Sequence, residues 1–224
     1  CSSDLGDYIQ GTPYVSDSQG KTAIELMNAA GYDVATFGNH EFDYGFANLQ
    51  TIFKDAKFKV IGNIQYNGKL AFDGTTTVTT AGGVKVGFLG LTTPETATKA
   101  HPAKIQGVTF VGGQDMMKLA QTEVDTLKAA GCDYVICLGH LGIDAESTGN
   151  RSIDVLNAVT GIDVFIDGHS HSTLDQIKAA TNGTGKVGNA YLTSTGTKLA
   201  NVGVVDIAPD GTITTSNVPL DTLT

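Results

Sequence analysis

The chain has 224 residues, 41% hydrophobic and 17% charged, which excludes a disordered polypeptide and suits one domain with a substantial core. Its formal net charge of −9 disfavours a nucleic-acid polymer as the partner, although bound divalent metals can invert the local field for a small phosphorylated substrate. No apolar run approaches the roughly 18 residues that indicate a membrane span. The first residues also lack the basic start and apolar centre of a signal peptide.

Three segments share one pattern, a helix followed by a glycine and a short apolar strand. Apolar residues at helical spacing predict the helices Lys21–Ala30, Gln114–Ala130 and Arg151–Val159. Each helix is followed by a glycine, which is typical of a helix C-terminus. The strands predicted after these glycines are Tyr32–Phe37, Asp133–Leu138 and Asp163–Asp167. The repetition indicates parallel βα units.

The remaining segments add hairpins and further strands to these units. A helix is predicted at Ala47–Ala56 and a strand at Lys57–Ile64. Gly74–Thr80 and Val84–Leu91 are predicted to pair as a hairpin. Near the end of the chain, alternating residues predict the strands Ala190–Thr193, Leu199–Ile207 and Thr212–Thr215. Together these elements predict a layered α/β sandwich, in which Cys132 and Cys137 are expected in the core.

Histidines concentrate at the ends of the three predicted strands. The chain has five histidines, and four of them lie in Gly38–Gly45, Gly139-His140 and Gly168–His171. Open α/β sheets bind their ligands at the carboxyl ends of the strands. Four histidines at such ends therefore indicate a built site, whereas His101 beside Pro102 is expected to be an exposed loop residue.

Imidazole, carboxylate and amide side chains at these ends suit a divalent ion such as Zn²⁺, Mn²⁺, Mg²⁺, Fe²⁺ or Co²⁺. The predicted four-ligand set is Asp7, Asn39, His140 and His169. His171 lies two residues beyond His169, so it is placed to face a second ion. The alternatives are that each Gly-His pair is structural and that Asn39 caps a helix.

His40 and Asp43 form a separate candidate pair beside these ligands. A carboxylate three residues after a histidine can orient the imidazole and support its protonated form. Such a pair next to a metal is equipped to protonate a leaving oxygen. The alternative is that Glu41 and Asp43 begin a helix, where acidic residues suit the helix dipole.

With these motifs in place, the chain resembles the catalytic domain of the 5′-nucleotidase branch of the calcineurin-like metallophosphoesterases. The resemblance spans essentially the whole chain and is carried by ordered motifs. The matching segments are Gly6–Pro13, Gly38–Gly45, Leu89–Glu95, Gly139-His140 and Gly168–His171.

The resemblance implies a four-layer α/β/β/α sandwich around two sheets and hydrolysis of phosphate esters by metal-activated water. It implies that Asp7 bridges two metals and that His171 serves one of the two sites. The residues implied to complete the other site are Asn39, His140 and His169. His40 and Asp43 resemble the dyad with which the family stabilises the transition state and assists the leaving group.

Two family features are missing from the printed sequence. The family begins with an Asp-x-His strand that supplies two further ligands to the site holding His171, whereas this sequence opens close to Gly6-Asp7. One ion per chain is therefore possible where the family has two. A C-terminal domain that stacks the nucleobase is also missing. Residues 1–224 are thus expected to be a catalytic domain truncated at its first metal motif, with very weak phosphatase activity alone.

The leading functional hypothesis is the catalytic part of a secreted, periplasmic or cell-surface nucleotidase that hydrolyses nucleoside monophosphates. A related hypothesis is a 2′,3′-cyclic nucleotide phosphodiesterase or a nucleotide-sugar hydrolase, since the relatives share one metal centre. A hypothesis of another class is a catalytically silent metal-binding domain. The expected partner is a small nucleotide or phosphoester, and the sequence leaves the oligomeric state open.

Overall fold

The computed structural model of the chain describes residues 1–222. The strands β1 to β14 are, in chain order, Ser3–Asp4, Val34–Ala35, Lys59–Val60, Ile64–Tyr66, Lys69–Leu70, Thr75–Thr79, Lys85–Thr92, Val108–Phe110, Tyr134–His140, Val164–Asp167, Lys186–Val187, Ala190–Thr193, Asn201–Ile207 and Ile213–Pro219. The helices α1 to α7 are Pro13–Ser16, Lys21–Ala30, Phe46–Ile52, Thr96–Lys99, Gly113–Ala129, Ser152–Ala158 and Leu174–Ala180. Short 3₁₀ turns lie at His40–Phe42, Phe53–Asp55, Pro102–Lys104, Ala145–Ser147 and Leu220–Thr222.

The larger sheet has the strand order β11-β12-β10-β9-β7-β6. Its four central strands run parallel, and the two edge strands are antiparallel to their neighbours. In the register of this sheet Gly139 is opposite both Leu91 and Asp167. The carboxyl ends of β7, β9 and β10 therefore lie side by side, which brings the segments that follow them to one edge.

Shorter strands form the second layer of sheet structure. Strands β1, β2 and β3 pair in parallel, and β13 pairs with β14 as an antiparallel hairpin. Strands β5, β4 and β8 form a separate small antiparallel sheet, which packs in the same apolar cluster as β2 and β3. The parallel order again places the segments after β1 and β2 next to each other.

Three apolar layers separate four layers of secondary structure. On β9, Ile136 and Leu138 pack between the two sheets, while Val135 and Cys137 pack under α5, α6 and α7. On the other side, Ala35 of β2 packs against α2 and α3. Alternate strand residues thus bury opposite faces, as the pleat requires. The four-layer α/β/β/α sandwich is confirmed.

The predicted elements agree best where the hydrophobic pattern is long. Helix α2 has the predicted bounds and ends at Gly31, whose φ of +76° is the left-handed conformation that favours glycine. The hairpin of β6 and β7 is confirmed. The strand predicted at 57–64 is wrong, because Lys59–Val60 and Ile64–Tyr66 belong to different sheets. The chain turns at Gly62, where a β-carbon would collide with the ring of Phe37.

The cysteines occupy the expected environments. Cys132 and Cys137 are buried, Cys1 is exposed, and all three are free thiols. Within residues 1–222, no helix combines the length and the apolar character needed to cross a membrane.

A buried carboxyl group in α5 makes the stability of this fold depend on pH. Glu123 is 7% exposed, and neither of its oxygens has a hydrogen-bond partner among residues 1–222. Burial raises the pKa of Glu123 from its ordinary 4.5 to about 8. The unfolded chain releases this proton at a lower pH than the folded chain does. The folded protein is therefore progressively destabilised as the pH rises from about 4.5 to about 8.

We expect Glu123→Gln to unfold at the same urea concentration as the wild type near pH 4.5. The free energy of unfolding of Glu123→Gln should then exceed that of the wild type by roughly 1 kcal/mol more for each pH unit, up to about pH 8. The matched control is Glu25→Gln on α2, because the side chain of Glu25 is 61% exposed. Urea unfolding at a series of pH values measures both. A constant difference between Glu123→Gln and the wild type across this range would contradict the prediction.

Candidate metal centre and active site

A cavity of about 310 Å³ opens at the carboxyl ends of the strands of both sheets. The residues that line it are Asp7, Asn39, His40, Asp43, Lys99, Ala100, His169 and His171. Six of the seven predicted site residues are in this set. The seventh, His140, is 2% exposed and contacts Asp7 from the interior of the protein. The structure therefore brings all seven together.

The loops after β1 and β2 approach each other closely. A β-carbon on Gly6 would collide with the backbone of Gly38, and Gly6 has a φ of +97°. This contact lets the amide N–H of His40 donate to Oδ1 of Asp7 at 3.0 Å. Glycine at position 6 is thus required both by the backbone conformation and by the close approach.

Glu41 fixes the same two loops from inside the protein. Its side chain is fully buried and accepts the N–H groups of Gly38 at 2.5 Å, Asp7 at 2.7 Å and Ile9 at 3.4 Å. Burial and the charge of Asp7 raise the pKa of Glu41 to about 8, against the lowering effect of the N–H donors. The alternative that Glu41 and Asp43 merely begin a helix is incomplete for Glu41, because this residue lies in the 3₁₀ turn His40–Phe42 but is buried and accepts hydrogen bonds from three N–H groups.

His140 presents one nitrogen to Asp7. Its Nδ1 is 2.8 Å from the carbonyl oxygen of Leu5, which can only accept, so Nδ1 carries a hydrogen. Its Nε2 is 3.1 Å from Oδ2 of Asp7 but is buried without an aligned hydrogen bond. Burial raises the pKa of Asp7, but the contacts with His140 and the His40 N–H outweigh it and lower that pKa to about 2. The pKa of His140 is raised in turn, against burial, by Asp7.

His169 approaches Asn39 from the neighbouring strand end. Its Nδ1 is 3.0 Å from Oδ1 of Asn39, and its ring centroid is 5.1 Å from that of His140. Burial lowers the pKa of His169, which favours the neutral imidazole that binds metals. Asp7, His169 and His171 have φ values of +67°, +74° and +53°. Strained backbone of this kind in non-glycine residues concentrates at functional sites.

The donor atoms fit a divalent ion in their chemistry and spacing. Two ligands that each lie about 2.1 Å from one ion are separated by roughly 3.0–3.4 Å. The pairs Asp7–His140 and Asn39–His169 have separations of 3.1 and 3.0 Å. The buried, unpartnered Nε2 of His140 is the kind of atom that a bound cation would satisfy. Within residues 1–222, no three His, Cys, Asp or Glu side chains are arranged so that they could hold a metal ion by themselves, so the proposed set relies on the amide of Asn39.

His171 and the pair His40–Asp43 lie at the open side of the cavity. His171 is exposed, and its side chain pairs with no other among residues 1–222. Nδ1 of His40 is 2.8 Å from Oδ2 of Asp43, and both side chains are 37% exposed. Asn39 makes no helix-capping hydrogen bond, so the capping alternative is wrong. His101 is exposed and outside the cavity, as expected.

A polar cluster beside His169 was not predicted from the sequence. Oε2 of Glu95 lies 2.6 Å from Nζ of Lys99 and 3.2 Å from Nε2 of His169, and Oε1 accepts a hydrogen bond from Ser147. The hydrogen bond from Lys99, and after it the one from Ser147, lowers the pKa of Glu95 to about 2. Glu95 lay within a matching motif, but no local pattern marked its contact with His169.

Asp167 ties the ends of β9 and β10 together. Its Oδ1 accepts the N–H groups of Leu141 and Gly142, each at 3.1 Å. Burial raises the pKa of Asp167 to about 6, although these hydrogen bonds oppose the change. The loop after His140 is therefore held against the strand that leads to His169.

Comparison with known proteins identifies the family of this chain. Residues 4–173 match the calcineurin-like phosphoesterase family. The chain is 32% identical to mouse 5′-nucleotidase over 76% of its own length and 29% of that protein. It is also 32% identical to the trifunctional nucleotide phosphoesterase protein YfkN of Bacillus subtilis, over 75% of this chain and 13% of that one. The crystal structure of calcineurin-like phosphoesterase YfkN superimposes with a TM-score of 0.82 at 25% identity, covering 98% of this chain and 76% of that one.

The chain belongs to the calcineurin-like phosphoesterase family. Members of this family are metallophosphoesterases that use divalent metals, and the relatives of this chain include 5′-nucleotidases. The chain spans 29% of the length of the mouse relative.

The role of Glu41 can be tested through stability. Glu41→Ala leaves three backbone N–H groups without their acceptor in a buried region, so we expect a loss of about 3 kcal/mol or more. For a chain of this size that loss lowers the melting temperature by about 6–12 °C. Glu25→Ala, on the exposed face of α2, should change the melting temperature by no more than about 1–2 °C. Thermal unfolding followed by circular dichroism compares the two, and equal shifts would contradict the anchoring role.

Proposed function

We propose that this chain is the catalytic unit of a metal-dependent nucleotide phosphohydrolase of the 5′-nucleotidase type, acting on nucleoside monophosphates outside the cytoplasm. The supporting observation is that Asp7, Asn39 and His169 line one cavity beside the His40–Asp43 pair, while the buried His140 contacts Asp7. The relatives named nucleotidases and nucleotide phosphoesterases support the nucleotide as substrate. For a longer protein that contains this chain, the substrate and the cellular location are likewise proposed.

In this proposal Asp7, Asn39, His140 and His169 would hold the first ion, and His171, with Asp7, would contribute to a second. A bound divalent ion supplies Lewis-acid polarisation of a phosphoryl oxygen and lowers the pKa of water. The protein contributes a fixed donor set. The backbone of β1 and β2 positions Asp7 and Asn39, and the register of β9 and β10 positions His140 and His169.

His40 is the proposed catalytic acid. Its Nδ1 faces Asp43, so the carboxylate orients the ring and leaves Nε2 free to hold a proton towards the cavity. Nε2 can donate that proton to the leaving oxygen and stabilise the charge that develops on it. Both groups are partly exposed, which leaves room for a substrate to reach them.

Hydrolysis of a nucleoside 5′-monophosphate in the presence of Mn²⁺ tests the assignment of His40. We expect His40→Ala to lower kcat by about 10²- to 10⁴-fold with little change in KM, because the proton is needed only in the transition state. Asp43→Asn should have a smaller effect in the same direction. Phosphate release at saturating substrate measures kcat.

His101→Ala is the matched control, since His101 is exposed and outside the cavity. Equal activity of His40→Ala and His101→Ala would overturn the role of His40. A 2′,3′-cyclic nucleotide and a nucleotide sugar should be tested in parallel. Preferential hydrolysis of either would replace the nucleoside monophosphate as substrate, and binding of Mn²⁺ without hydrolysis of any would identify a silent metal-binding domain.

A Mn²⁺ titration followed by the electron paramagnetic resonance of the free ion tests the metal centre. We expect one ion to bind tightly per chain, because four of the proposed ligands lie in two close pairs, whereas His171 is exposed at the open side of the cavity. Mn²⁺ is preferred for this test because oxygen and nitrogen ligands suit it better than the exposed thiol of Cys1 does.

Asn39→Ala and His169→Ala should each weaken the tight site, whereas His101→Ala should leave its affinity unchanged. Two tightly bound ions would show that further ligands complete the site of His171. No bound ion in the wild type would overturn the proposed metal centre.

A further inference from the structure

We propose that Glu95 is a positioning residue for the metal centre: it fixes His169 so that Nδ1, rather than Nε2, faces the ion position beside Asn39. This inference rests on the proposed function and deepens it. It concerns the contact between Glu95 and His169, which involves no atom proposed to bind the ion. It thereby assigns a role to the cluster of Glu95, Lys99 and Ser147.

The two nitrogens of His169 face two different acceptors. Nδ1 is 3.0 Å from Oδ1 of Asn39, and Nε2 is 3.2 Å from Oε2 of Glu95. A neutral imidazole carries one hydrogen, and a carboxylate can only accept. Oδ1 of Asn39 also accepts, but the charged carboxylate of Glu95 forms the stronger hydrogen bond. The hydrogen is therefore assigned to Nε2, which leaves the lone pair of Nδ1 directed at the ion position. Histidine ligands of metals are commonly oriented by a carboxylate in this way.

Two further contacts hold the Glu95 carboxylate in place. Nζ of Lys99 lies 2.6 Å from Oε2, and the hydroxyl of Ser147 donates to Oε1. Lys99 also comes within 3.4 Å of Nε2 of His169, where it could donate only to the opposite tautomer. The closer approach of Lys99 to Glu95 assigns its hydrogen bond to the carboxylate. The lysine thus anchors the acceptor rather than the histidine.

His140 is held in the same way as His169, except that its Nδ1 contacts the outer acceptor and its Nε2 faces the proposed ion position. Its Nδ1 donates to the carbonyl oxygen of Leu5 at 2.8 Å, and its Nε2 faces Oδ2 of Asp7 at 3.1 Å. Each histidine therefore has one nitrogen fixed by an outer acceptor and the other directed at a proposed ligand. For His140 the outer acceptor is backbone, and for His169 it is the side chain of Glu95, which mutation can remove.

The Glu95 cluster also joins three loops at the edge of the larger sheet. Glu95 follows β7, Ser147 lies in the segment after β9, and His169 follows β10. His169 has a φ of +74°, a conformation that a non-glycine residue keeps only when its surroundings determine it. The hydrogen bond from His169 to Glu95 supplies one such restraint outside the metal position.

The experiment compares Glu95→Ala, Glu95→Gln and the control Glu146→Ala, which removes an exposed carboxylate next to Ser147. Zn²⁺ affinity is measured by chelator competition. We expect Glu95→Ala to bind Zn²⁺ about 10- to 100-fold more weakly. Glu95→Gln should recover part of this loss, because its amide oxygen still accepts from Nε2. Glu146→Ala should match the wild type.

A second readout does not depend on activity. In the Zn²⁺-loaded wild type, ¹⁵N spectra of histidine-labelled protein should show His169 with metal at Nδ1 and hydrogen at Nε2. The population of this form should fall in Glu95→Ala and return in Glu95→Gln. Assignment of the His169 signal uses its disappearance in His169→Ala.

The outcomes separate this inference from the function on which it rests. If Asn39→Ala weakens Zn²⁺ binding but Glu95→Ala does not, the positioning role of Glu95 is wrong and the metal centre stands. Metal at Nε2 of His169 in the wild type would also overturn the inference. If the wild type binds no Zn²⁺, the proposed metal centre itself fails.

Discussion

The buried carboxyl group of Glu41 is the interaction on which the site depends. It accepts N–H groups from both loops that carry Asp7 and Asn39, and its side chain is fully buried, so its loss would leave these donors unpaired. Held in this way, Asp7 accepts from the N–H of His40 and meets Nε2 of His140, which is fixed by Leu5. One acidic side chain thus connects the loops of the smaller sheet to a histidine of the larger one.

The sequence was sufficient where signals are local. Apolar spacing and a glycine stop define α2 to the residue, and β9 and β10 begin one residue later than their apolar runs indicated. Because parallel strands end together, the histidines that follow such runs were predictable neighbours. The four layers followed from family resemblance rather than from periodicity, and the packing of β9 between two apolar layers agrees with them.

The rest depended on contacts between distant parts of the chain. Glu41 and Asp7 are 34 residues apart, and Glu95 and His169 are 74 apart, so no local pattern relates them. The neighbouring residues in the sequence do not reveal whether an acidic side chain is buried or solvated. For this reason Glu41 and Glu123 were not expected in the interior. Helix α7 is a different case, because Thr173 and Gln176 form a capping box that the sequence displays.

The register of the larger sheet also determines where this chain can change in length. His140 shares a face of β9 with Leu138, so one residue inserted within that strand would turn the imidazole towards the helices. The turn between β6 and β7, at residues 80–84, lies at the opposite end of β7 from Thr92 and is exposed. Insertions there would lengthen a surface loop and leave the strand ends aligned. Insertions, including an attached reporter, should therefore be tolerated in the turn before β7 but not within the strands that carry the site.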